Sequence, residues 1–113
     1  MSDLASRDCV PCRGGVPPLG VDAQRALLAQ LEPRWRIVDG HHLERSYRFE
    51  DFASALAFVN RVGDVAEQQN HHPDLHLAWG KVRVEIWTHK IDGLQEADFV
   101  LAAKCDRLFG ARS

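Results

Sequence analysis

The apolar residues Phe52, Ala55, Leu56, Val59, Val62 and Ala66 recur at helical spacing and run toward a His71-His72-Pro73 tripeptide; no other feature restricts the fold of this chain so strongly. The spacing predicts an amphipathic helix over about Asp51 to Gln69. Proline disfavours helical geometry in the residue before it, so the helix must end near His72. Gly63, near the middle of the apolar stripe, suggests a close approach to a neighbouring sheet. Beyond the proline, Leu75, Leu77 and Trp79 alternate as one strand, Gly80-Lys81 is expected to turn, and Val82, Val84 and Ile86 alternate as the next.

The flanking segments repeat this pattern. Asp22 is placed to N-cap a helix over Ala23 to Leu31, with Pro33 preventing its continuation. Trp35, Ile37 and Val38 suggest a strand, Asp39-Gly40 a two-residue hairpin turn, and Leu43, Tyr47 and Phe49 the return strand. A last helix is expected over Ala97 to Phe109, with Asp98 heading the inward face that continues through Leu101, Ala102, Cys105 and Phe109. The order α-β-β-α-β-β-α with hairpin connections implies an α+β fold: a four-stranded antiparallel sheet with three helices packed on one face. A chain of 113 residues supports one core, so residues 1–20 read as an irregular N-terminal arm and residues 21–113 as a single domain.

Charge narrows the partners. With 14 basic against 16 acidic residues, a net charge of −2 and no basic stripe, nucleic acid is not expected as a direct partner. The first twenty residues hold no apolar run like that of a signal peptide, and no later segment has the length and apolarity of a membrane span, so a cytoplasmic location is expected. Cys9 and Cys12 form a CxxC pair in a Pro- and Gly-rich stretch, whereas a redox pair should open a helix after a strand; the pair is read as a feature of the arm without catalytic duty. Cys105 reads as a small buried apolar residue.

Chemistry-bearing residues concentrate around the predicted second hairpin. Glu67, His71, His72, His89 and Asp98 bracket it, so the fold could gather three imidazoles and two carboxylates at one place. Histidine titrates near neutral pH, and such a set can give and take protons without a metal. Taken singly, each has a structural use: His71 and His72 as helix-end residues, His89 in a loop, Asp98 as a first-turn acid. Trp79 is expected in the core or an interface, while Trp35 and Trp87 could be core, a subunit contact or a wall for a flat ligand. A metal site built from His71, His72, His76 and His89 is disfavoured, because neither HxH nor HExxH occurs among them.

The spacing from Glu67 to Asp98 resembles the signature of the pterin-4a-carbinolamine dehydratase family. It reads as an acid, three spacers, His-His-Pro, five spacers, an aromatic residue, nine spacers, His, eight spacers and Asp. The similarity spans nearly the whole chain, from the Cys9 to Cys12 arm through Trp35 and Asp51-Phe52 to Leu101-Ala102. It implies dehydration of 4a-hydroxytetrahydrobiopterin to quinonoid dihydropterin and water, with the pterin as substrate and no cofactor or metal. It implies catalytic roles for His71, His72 and His89, supporting or substrate-contacting roles for Glu67, Pro73, Thr88 and Asp98, and a place beside the pocket for Trp35. The partner implied is an aromatic amino acid hydroxylase whose tetrahydrobiopterin is recycled, and the assembly a homodimer or homotetramer. Alternatives within the resemblance are a dimerisation or regulatory protein of a hydroxylase system, or a role in another pterin pathway such as molybdopterin metabolism. The chain departs from the family at Gln95, where Thr or Ser is usual and would cap the last helix in a box with Asp98. It departs again at Ala97, where some relatives carry a basic residue beside the pocket.

Overall fold

The computed structural model describes residues 4–10 and 17–110. Seven main elements follow one another: α1 (Val21–Leu28), β1 (Arg36–Val38), β2 (His42–Arg48), α2 (Phe52–Gln69), β3 (Asp74–Ala78), β4 (Lys81–Ile86) and α3 (Glu96–Gly110). The strands form one antiparallel sheet in the order β1-β2-β4-β3. Leu43, Tyr47, Val82, Val84 and Ile86 point from its inner face into a core shared with Ala55, Phe58 and Val62 of α2 and Phe99, Leu101 and Ala102 of α3. The alternation of polar and apolar residues along β2 and β4 is the cause, because successive side chains leave a strand on opposite faces. No helix among the described residues is long and apolar enough to cross a membrane.

The long helix forms where its periodicity predicts. Asp51 N-caps it, its carboxylate accepting from Ser54 N–H at 2.8 Å. At the other end Asn70 takes the left-handed conformation with φ of 52°, and His71 N–H then reaches Ala66 O at 3.1 Å. Gly63 meets no close neighbour: a Cβ there would find nothing within 4 Å, so the expected close approach to the sheet does not occur.

Local boundaries differ from expectation in three places. Helix α1 starts at Val21 with Gly20 as its cap and ends at Leu28, leaving Asp22 in the first turn rather than at the cap. The first hairpin pairs Val38 with His42, so three residues connect its strands, although Asp39 and Gly40 do carry the positive φ values of 53° and 65°. The second hairpin pairs Ala78 with Lys81, which makes Trp79-Gly80 the connection and puts Trp79 at its tip, 69% exposed. Gly80 is required there by close approach, since a Cβ would stand 2.9 Å from Phe49 O.

The arm is part of the packing. Leu4, in a 3₁₀ turn over Leu4–Ser6, is fully buried, and Cys9 joins the same core. Lys104 Nζ ties the turn to α3 by donating to Ala5 O at 2.9 Å. With the sheet on one side and the arm on another, the successive residues Ala97 to Ala102 are all buried. Cys12 lies outside the described residues.

Candidate active site

The end of α2, the end of β4 and the start of α3 converge on a single carboxylate. Asp98, fully buried, accepts from His71 Nε2 at 2.6 Å through Oδ1, and from Thr88 Oγ1 and Gln95 N–H, both at 2.8 Å, through Oδ2. A buried carboxylate without such partners would be costly, and three donors satisfy this one. The Gln95 bond is the backbone half of a capping box: Asp98 reaches back to the residue preceding α3, while the Gln95 side chain turns away to Pro17 O at 2.7 Å.

Each donor is delivered by a definite backbone event. His71 arrives because α2 stops at Asn70 in the left-handed conformation, and its side chain is 14% exposed. Thr88 arrives because the chain makes an isolated antiparallel bridge from Thr88 to Gly93 after β4 ends at Ile86. That bridge encloses a 3₁₀ turn over His89–Ile91, which brings His89 to the rim.

A cavity of about 260 Å³ opens in front of the dyad, lined by His71, His72, Thr88 and His89 among the expected residues, and by Trp87, Lys90 and Cys9 besides. His89 stacks on Trp87, ring centroids 4.4 Å apart and tilted by 33°, and its ring nitrogens have no partner among the described residues. With Nε2–H directed at Asp98, His71 keeps Nδ1 as its free lone pair. His72, 52% exposed, pairs through Nε2 with the exposed carboxylate of Glu67.

Other expected members stand apart from the lining. Glu67 acts on His72 from outside, and Pro73 separates the histidine pair from β3. Trp35 is buried elsewhere: its indole N–H donates to both Asp106 oxygens at 3.0 and 2.9 Å, in a cluster with Tyr47 and Arg45. A buried indole needs an acceptor, and Asp106 supplies it on α3. The aromatic wall of the cavity is Trp87, one of the uses the sequence left open for it. Lys90 and Cys9 were not anticipated. Burial pushes the Cys9 thiol up to about 11, and its Sγ faces Ala97 O at 3.5 Å.

Comparison with known proteins gives a consistent result. The family model described as pterin 4 alpha carbinolamine dehydratase matches residues 17–108. A protein from Rubrobacter xylanophilus carrying that family name is 59% identical over 96% of this chain and 100% of its own length. One from Alkaliphilus metalliredigens is 48% identical over 95% of this chain and 96% of its own. Among solved structures, a transcriptional coactivator/pterin dehydratase from Brucella melitensis superposes with a TM-score of 0.76 at 32% identity, covering 80% of this chain and 97% of that one. A pterin dehydratase-like RuBisCO assembly factor of the alpha-carboxysome shares the fold, with a TM-score of 0.59 at 22% identity over 69% of this chain and 92% of its own.

Proposed function

The chain belongs to the pterin-4a-carbinolamine dehydratase family, and we propose that it is a hydro-lyase whose histidines dehydrate 4a-hydroxytetrahydrobiopterin. The observation that carries this reading is the Asp98–His71 pair at the wall of a cavity that His89 also lines. Loss of water requires removal of the N5 proton, formation of the N5–C4a double bond, and protonation of the departing 4a-hydroxyl. His71 is the base: the Asp98 carboxylate orients its ring and stabilises the imidazolium formed when Nδ1 takes the proton. His89, whose ring nitrogens have no partner among the described residues, enters as the imidazolium and gives its own proton to the leaving hydroxyl. His72, biased by Glu67, returns the site to its starting protonation state. Trp87 offers a flat face to the bicyclic ring, and Thr88 holds Asp98 in place.

In this reading the protein works in the cytoplasm and recycles tetrahydrobiopterin for an aromatic amino acid hydroxylase. The test is direct. An aromatic hydroxylase generates 4a-hydroxytetrahydropterin, and its ultraviolet absorbance decay is followed with and without the protein. Acceleration that disappears in His71→Ala supports the assignment; decay at the spontaneous rate overturns it.

A second reading concerns assembly and is favoured by one observation. Phe52 and Leu56 on α2, Leu77 on β3 and Trp79 at the hairpin tip are large apolar residues exposed by 44%, 39%, 36% and 69%, on elements that pack against each other. Large apolar side chains left exposed in this way suit burial against a second copy of the chain, as a homodimer or homotetramer. Sedimentation of the wild type against Leu56→Asp distinguishes an assembly from a monomer.

A further inference from the structure

The outer face of the sheet carries a second cluster of titratable groups, none of which lines the cavity, although the His42 ring lies 5.8 Å from that of Trp87, the cavity's aromatic wall. We infer that His42, Glu44 and Glu85 form a binding site for a first-row divalent transition cation of the zinc class. One ring nitrogen of His42 and one carboxylate oxygen from each glutamate all lie within 4.8 Å of one another. Glu44 and Glu85 are direct cross-strand partners on β2 and β4, and their side chains are only 17% and 19% exposed. Like charges directly opposite on a sheet repel, and a dication between them turns that repulsion into attraction.

The tautomer of His42 is set for ligation by a relay. His41 Nε2 meets Asp92 Oδ1 at 2.6 Å, so His41 donates there and keeps a lone pair on Nδ1. That Nδ1 faces His42 Nδ1 at 3.1 Å, a contact that is attractive when His42 carries its proton on Nδ1. His42 Nε2 is then the unprotonated nitrogen, the form a metal requires. A carboxylate that fixes a ligating histidine through its other nitrogen is the usual outer-shell device of metal sites, extended here by one imidazole.

Competing cations are within reach. Arg36 Nη2 pairs with Glu44 at 2.5 Å, and Arg83 Nε stands 3.2 Å from Glu85. Arg36 is 70% exposed, and an ion pair of that kind contributes little, so it swings aside at small cost. His76 Nε2 also stands 3.2 Å from Glu85 Oε1, so it too must share that oxygen when an ion binds. One imidazole and two carboxylates form a mixed nitrogen and oxygen set that suits zinc better than magnesium or calcium, which prefer oxygen throughout.

The experiment titrates the metal-free full chain with zinc chloride in a calorimeter. The wild type should bind one equivalent at this site, Glu85→Gln and His42→Ala should weaken that event by about tenfold or more, and the exposed Asp92→Asn by roughly ten- to hundredfold through the relay. The His71→Ala/His72→Ala/His89→Ala variant should retain it. Glu85→Gln is isosteric and Asp92 is exposed, so native circular dichroism keeps the comparison interpretable. The inference is overturned if the wild type shows no saturable heat, or if binding survives Glu85→Gln and His42→Ala but vanishes with the cavity histidines.

Discussion

His71 Nε2 and Asp98 Oδ1 stand 2.6 Å apart, joining the C-terminal end of α2 to the first turn of α3 across the inner edge of the fold. Because the carboxylate is fully buried and the imidazole faces the cavity, the bond fixes which nitrogen of His71 is available for chemistry. In His71→Ala and His89→Ala, turnover of 4a-hydroxytetrahydropterin should fall by about 10²-fold or more, the scale of a lost general acid or base. Asp98→Asn should lower kcat by about 10²-fold with KM little changed, since it disturbs a proton-transfer group rather than a substrate contact. Steady-state kinetics on the three variants separates these outcomes from a purely structural role, which would leave the kcat of folded protein intact.

Leu4 tests whether the arm belongs to the core. It is fully buried against α3, so Leu4→Ala removes packed methyl groups and leaves a cavity. A loss of about 3 kcal/mol in denaturant unfolding is expected. A loss below about 0.5 kcal/mol, the range of ordinary surface substitutions, would mean that the arm detaches in solution.

Cys9 lines the cavity but should be inert. With its thiol pushed up to about 11, mainly by burial, about one molecule in a thousand carries the thiolate at pH 8. Iodoacetamide at that pH should leave Cys9 unmodified in the native protein and label it after unfolding, as peptide mass mapping would read. Native labelling at the rate of a free cysteine would contradict its burial.

Asp51 gives a pH signature. The Ser54 N–H bond holds its carboxyl below the usual range, so the folded state favours the ionised form. The resulting stability is fully present above the unfolded-state value of about 3.9 and is lost as pH falls through the lower folded value. Melting temperatures of wild type and Asp51→Ala should therefore differ by a constant amount near neutrality and converge as the pH falls through the lowered folded value. A gap that persists into strong acid would mean that the cap does not depend on the charge.

What the sequence made legible was the local part of the fold. Helix α2, both hairpins and α3 follow from periodicity, a proline stop and turn residues, each of which acts within a few positions. The details that escaped depend on distant neighbours. Trp79 continues the alternation of β3, yet the chain reverses there, with Gly80 lying against Phe49 O, just past the end of β2 and about thirty residues earlier. Leu4 carries no periodic signal at all, and its burial arises from α3 at the far end of the chain. At the site, spacing nominated His71, His72, His89 and Asp98 and the family resemblance added Thr88, whereas Trp35, which the resemblance put beside the pocket, donates to Asp106 instead. Lys90 reaches the rim only through the short turn after Thr88, which no pattern announced.

The backbone bond from Gln95 to Asp98 has an evolutionary corollary. One carboxylate both starts a helix and holds an imidazole, so selection for folding alone preserves it after selection for chemistry has lapsed. A descendant kept only as a scaffold could shed the residues matching His71 and His89 freely, yet would be slow to lose the acid. Along a lineage, loss of the histidines rather than of the aspartate would mark the point at which such a protein stopped being an enzyme.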